Sequence, residues 1–184
     1  MNGEGRPSGG TETADQLAKA SSSVGQIPPV GPHPGVDVLL VGAALWGGPR
    51  LFLASLRFVE DDDIENPALA QVLAAARSLI FADLPHSPQL VLDKLKRSGS
   101  LTPAVAEQLK AATTSGADPG AVLHYAAAVV ADSLRRRAAA AGAALSAIGE
   151  RSPEADIAPM VERAAASVRD CAERLAVLRG GRDD

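Results

Sequence analysis

Aromatic residues and cysteine are nearly missing from this chain of 184 residues, and the shortage bounds what it can be. Cys171 stands alone, which excludes an intramolecular disulfide and any need for an oxidising compartment. Trp46, Tyr125, Phe52, Phe58 and Phe81 are all the aromatic rings it has. The core must therefore be built from aliphatic side chains and alanine, a mixture that suits closely packed helices because alanine is the best helix former. Long apolar runs are missing too. Val38–Trp46 is among the longest and falls far short of the about 20 residues that cross a bilayer. The first 35 residues lack the apolar stretch of a signal peptide. A cytoplasmic protein without membrane contact is expected. Positive charge is not in excess either: 18 basic residues face 22 acidic ones, for a net charge of −4. Nothing pulls the chain as a whole toward phosphate backbones, so direct DNA binding is not expected.

Catalytic constellations are also missing. None of the lysines follows a glycine-rich loop that would cradle a phosphate. His33, His86 and His124 are scattered, without zinc-ligand spacing. The cluster Glu60, Asp61, Asp62, Asp63 and Glu65 lacks the interleaved glycine and ligand order of a calcium loop, and reads as a solvated acidic turn. A non-enzyme without cofactor or metal is the expectation.

What is present is helix punctuation. Residues 1–35 hold seven glycines and five prolines with a serine run at Ser21–Ser23, a composition of a disordered tail; only Thr13–Ala20 has helical character. Apolar periodicity begins at Val36. A first helix, Val36–Leu45, stops at Gly47-Gly48, and Pro49 opens a second to about Phe58. Asn66-Pro67, Ser87-Pro88 and Thr102-Pro103 are cap and first-turn pairs for helices ending near Phe81, Arg97 and Thr113. Gly99 and Gly116 punctuate the last two. These short helices form a globule over 36–117 with a core of its own.

The last third, 118–180, reads as two long helices, Asp118 to about Glu150 and Ile157 to Arg179, joined by a turn. The second repeats apolar residues at Ile157, Val161, Ala164, Val168, Cys171, Leu175 and Leu178, an unbroken heptad seam. Leu134, Ala138, Ala141, Leu145 and Ile148 keep the same alternation in the first, predicting an antiparallel helical hairpin. The fold class is all-α: a compact globule of short helices followed by a long antiparallel helical hairpin. Arg135, Arg136 and Arg137 lie about 100° apart on their helix and cannot form one basic face. The spacing predicts that Arg135 and Arg137 flank the seam, pairing with acids such as Asp132, Glu162 or Asp170, and that Arg136 points away. Ala158, Ala165 and Ala172 widen the seam beyond what one partner helix covers, which predicts self-association as a dimer or higher oligomer.

The order of elements resembles the N-terminal domain of the DnaB-type bacterial replicative helicases. Val38–Leu45 (VLLVGAAL) is similar to that family's opening helix. FVEDDDIENPALAQVLAAARSLI and SPQLVLDKLKRSGSLT resemble its next segments, and AVLHYAAAVVADSLRRRAAAAGAAL resembles its lead into the hairpin. Tyr125, Val129 and Arg136 or Arg137 fall on the family's tyrosine, valine and arginine positions. Ile64 departs from the family's phenylalanine, Asn66-Pro67-Ala68 replaces its histidine-containing helix start, and the ATPase motor is not within these residues. The resemblance covers about residues 36–178. It implies a non-catalytic collar module that self-associates or binds a replicative helicase, its loader or a primase. The candidate partner surface comprises Tyr125, Val129, Leu134, Arg135, Arg137, Val161, Ala165, Val168, Ala172 and Leu175. The competing readings are a helical-hairpin dimeric adaptor unrelated to replication and a DNA-binding regulator, the latter disfavoured by the charge balance.

Overall fold

The structure, a computed structural model, describes residues 34–151 and 153–180; the expected tail, apart from Pro34 and Gly35, lies outside them. Among the described residues seven α-helices follow one another: α1 Val36–Trp46, α2 Pro49–Leu56, α3 Pro67–Phe81, α4 Pro88–Arg97, α5 Pro103–Thr113, α6 Val122–Arg151 and α7 Glu154–Gly180. Short 3-10 turns occupy Asp61–Asp63 and Pro119–Ala121, and no strand occurs among the described residues. The all-α expectation is met.

Local chemistry sets the boundaries. Proline opens each of α2 to α5, where its missing N–H costs no helical hydrogen bond. Asn66 Oδ1 accepts from the N–H groups of Ala68 and Leu69 at 2.9 and 3.4 Å, and Thr102 Oγ1 from that of Val105 at 3.3 Å. Ser87 precedes α4 without a side-chain cap, so there the proline alone marks the start. Gly99 and Gly116 take φ values of 70° and 69°, the left-handed conformation that closes α4 and α5. The α7 helix starts at Glu154, ahead of the predicted Ile157. Glu154 and Asp156 place carboxylates in its first turn, where the helix dipole favours them.

The hydrophobic α1 is the central post. Its residues Leu40 to Leu45 are buried, packed by α3, α5 and α6. Gly42 permits the closest approach: a Cβ there would meet Ser115 Oγ at 2.3 Å and the Ala112 carbonyl oxygen at 2.5 Å. His86 seals the C-terminal end of α1. Its Nε2 sits 3.2 and 3.0 Å from the carbonyl oxygens of Ala44 and Gly47, and its ring meets Phe52 edge-on.

One expectation fails. The globule does not own a separate core, because the hairpin base is part of it. Val122, Ala126, Val129 and Val130 of α6, with Cys171, Leu175 and Leu178 of α7, belong to the same buried cluster as Leu40, Leu73 and Phe52. Apolar periodicity gives each helix a face but not its partner. Here α6 turns its first half to α1 and α2 as well as to α7.

Candidate interaction surface

The hairpin has two unlike halves. At its base, the acidic turn Asp61–Asp63 is docked between α6 and α7. Asp63 is 1% exposed and sits at the centre of a hydrogen-bond cage. It accepts from Ser133 Oγ at 2.6 Å, from the Glu60 N–H at 2.8 Å, from Arg137 Nη2 at 3.3 Å and from both Nη groups of Arg174. Arg174 also donates to the Phe58 carbonyl oxygen at 2.8 Å and to Glu60 at 3.2 Å. Arg137 reaches Asp62 at 2.8 Å, Glu60 at 3.2 Å and Ser167 Oγ on α7 at 3.1 Å. A short turn is thereby clamped to both hairpin helices at once.

Burial of Asp63 pushes its carboxyl up, but the Arg174 hydrogen bond, aided by Ser133, the Glu60 N–H and the Arg174 charge, holds it below its ordinary 3.8. The guanidinium groups of Arg137 and Arg174 are raised above their ordinary value: desolvation opposes this, and the surrounding carboxylates overcome it. Oxygen atoms of Glu60, Asp62 and Asp63 lie within 4.8 Å of one another, close enough for a cation. Two arginines already supply the positive charge. The expectation of a solvated acidic turn is therefore corrected: Asp61 and Asp62 are exposed, but Asp63 is the most buried carboxylate among the described residues.

The arginine triplet divides accordingly. Arg135 pairs with Asp132 at 2.6 Å, as its spacing predicts. Arg137 pairs with the acidic turn instead of Glu162 or Asp170. Arg136 does not point away: its Nη2 donates to the Asp63 carbonyl oxygen at 2.6 Å. Sequence reasoning placed Asp63 in a solvated turn and missed Arg174 altogether. The available signal was an arginine on α7 one residue before the seam position Leu175, paired with an acidic run too short to be a helix.

The distal half is open along its middle, although Ile148 near the end of α6 is 5% exposed. Ala138, Ala141, Gly142 and Leu145 of α6 and Val161, Ala164, Ala165, Val168 and Ala172 of α7 line a groove of about 560 Å³, with Arg169 at its edge. Leu145 and Val161 are each 39% exposed, whereas Cys171, Leu175 and Leu178 at the base are buried. Of the predicted surface residues, Val161, Ala165, Val168 and Ala172 line this groove. Arg135 is exposed beside the base. Val129 and Leu175 are core residues, and Tyr125 and Leu134 pack half-buried against that core, so these four support the hairpin from within. Arg137 belongs to the clamp.

No protein-family model matches the chain. No curated protein matches its sequence. Among solved structures, the crystal structure of the N-terminal domain of DnaB helicase from Mycobacterium tuberculosis superposes with a TM-score of 0.63 and 25% identity. The match covers 76% of this chain and 99% of that one. This chain has the fold of a DnaB helicase N-terminal domain. No described helix is long and apolar enough to cross a membrane.

Proposed function

We propose that this protein is a non-catalytic interaction module of the helicase-collar type, acting in DNA replication in the cytoplasm. It self-associates through the distal half of its hairpin and binds a replicative helicase, a helicase loader or a primase. The observation that carries this reading is the open apolar groove at the hairpin end of a DnaB-like N-terminal fold. Its small side chains let a second helical hairpin approach closely, and pairing two hairpins into a four-helix bundle covers Val161 and Val168. The arginines argue against a DNA surface, since the Arg137 and Arg174 guanidinium groups are spent on Glu60, Asp62 and Asp63. Sedimentation velocity should show a dimer or higher oligomer at tens of micromolar, and crosslinking pulldown should recover replicative helicase, loader or primase. A monomer that captures none of the three sinks the proposal. A dimer that captures none of them supports the adaptor reading instead.

A further inference from the structure

The α4–α5 pair carries a second apolar concavity, on the globule, which shares no lining residue with the hairpin groove. The buried Leu109 and half-buried Leu92 lie at its base, with Pro88, Ala106 and Thr113 around them, enclosing about 350 Å³. It contains no buried charged group that would select a small ion. Its shape is that of a groove between two consecutive helices, into which a third helix packs ridge to groove.

Charge decides the kind of helix. From Pro88 to Thr114 the chain has Lys94, Lys96, Arg97 and Lys110 against Asp93 and Glu107, and Asp93 is taken up by Arg97 at 2.5 Å, which leaves the two helices a net positive charge on a chain of net charge −4. Lys110 lines the cleft, and its ion pair with Glu107 is stretched to 3.9 Å with side chains 72% and 73% exposed. Such a pair holds little energy and exchanges readily for a better-placed carboxylate. Lys96 follows Leu92 by four residues, on the same face of α4, and makes no ion pair among the described residues. A lysine therefore stands on each helix bordering the apolar floor.

We infer that this cleft docks an acidic amphipathic helix of a partner protein, with its apolar stripe on Leu92 and Leu109 and its carboxylates on Lys96 and Lys110. A basic helix would meet like charge at Lys110 in the cleft lining and at Lys96 one turn beyond Leu92, and an uncharged one would forgo the complementarity. The inference is independent of hairpin self-association, which uses other residues.

Fluorescence anisotropy of the full chain tests it with two labelled helical peptides of about 16 residues. Each has leucines at i, i+3 and i+7. One has glutamates on the flanking positions, the other lysines. The acidic peptide should bind with a dissociation constant below about 1 mM, and the basic peptide should not. The double change Lys96→Glu and Lys110→Glu should weaken the acidic peptide by about tenfold or more and leave the helical circular dichroism unchanged. If the double variant unfolds, Lys110→Glu alone provides the same comparison. Amide shifts on binding should centre on Leu92, Ala106 and Thr113. Equal binding of the two peptides overturns the inference, as does no binding by the acidic one, unchanged affinity in the variant, or shifts centred on the hairpin groove.

Discussion

Replacing Asp63 by asparagine removes one charge and almost no volume, so it isolates the clamp. The side chain is fully buried, while those of Arg137 and Arg174 are 20% and 16% exposed. Breaking a buried ion pair from one side costs about 3–5 kcal/mol, because the partner charge is left uncompensated. Here Glu60 and Asp62 still face the arginines, and the amide keeps an acceptor for Ser133, which lowers the expected loss to about 2–4 kcal/mol. Arg174 Nε has no hydrogen-bond partner, so its two Nη groups carry the whole attachment and nothing else in that side chain compensates. Against a total stability of about 5–15 kcal/mol, the loss should lower the melting temperature by about 5–15 °C. Urea unfolding followed by far-ultraviolet circular dichroism measures it. The pH dependence supplies an independent check. Because the folded-state pKa of Asp63 lies below 3.8, its contribution is present above that value and drains away as pH falls through the lower folded pKa. The stability gap between wild type and Asp63→Asn should therefore be full at neutral pH and shrink below 3.8. A variant as stable as wild type at pH 7, or a gap that widens in acid, refutes the clamp.

The triplet Arg135–Arg137 should not behave as a unit. Arg135→Gln should change stability by less than about 0.5 kcal/mol, since its pair with Asp132 is exposed, whereas Arg137→Gln should cost about 1–3 kcal/mol on the same urea curves. Gly42→Ala should destabilise by about 1–3 kcal/mol, because the added Cβ meets the Ala112 carbonyl oxygen, which is backbone and cannot swing aside; thermal melts read this directly. Val168→Asp should shift sedimentation to monomer while leaving circular dichroism nearly unchanged, since Val168 lines the open groove rather than the shared core. An unchanged oligomer would move the self-association surface elsewhere. DNA binding in gel shifts should be negligible at physiological salt for wild type and for the arginine variants. Tight binding lost on changing Arg137 would mean that the guanidinium group leaves the acidic turn for phosphate.

Helix positions were legible in the sequence because they are local. Asn66, Thr102 and the prolines act on N–H groups within their own first turn, and Gly99 and Gly116 on their own φ. The heptad spacing from Ile157 to Leu178 likewise stated that α7 has one apolar face. What covers that face was decided by tertiary structure. The globule fills it at Cys171, Leu175 and Leu178, and beyond its reach Val161 and Val168 remain in an open groove. The acidic run shows the same division. Glu60–Asp63 announces charge, and charge in a short turn is ordinarily solvated. Only the meeting of that turn with Ser133, Arg137 and Arg174, between 70 and 111 residues away in the chain, buries Asp63 and makes its carboxylate structural. Burial and pairing depend on distances in space, and a pattern of residue types along one dimension does not contain them.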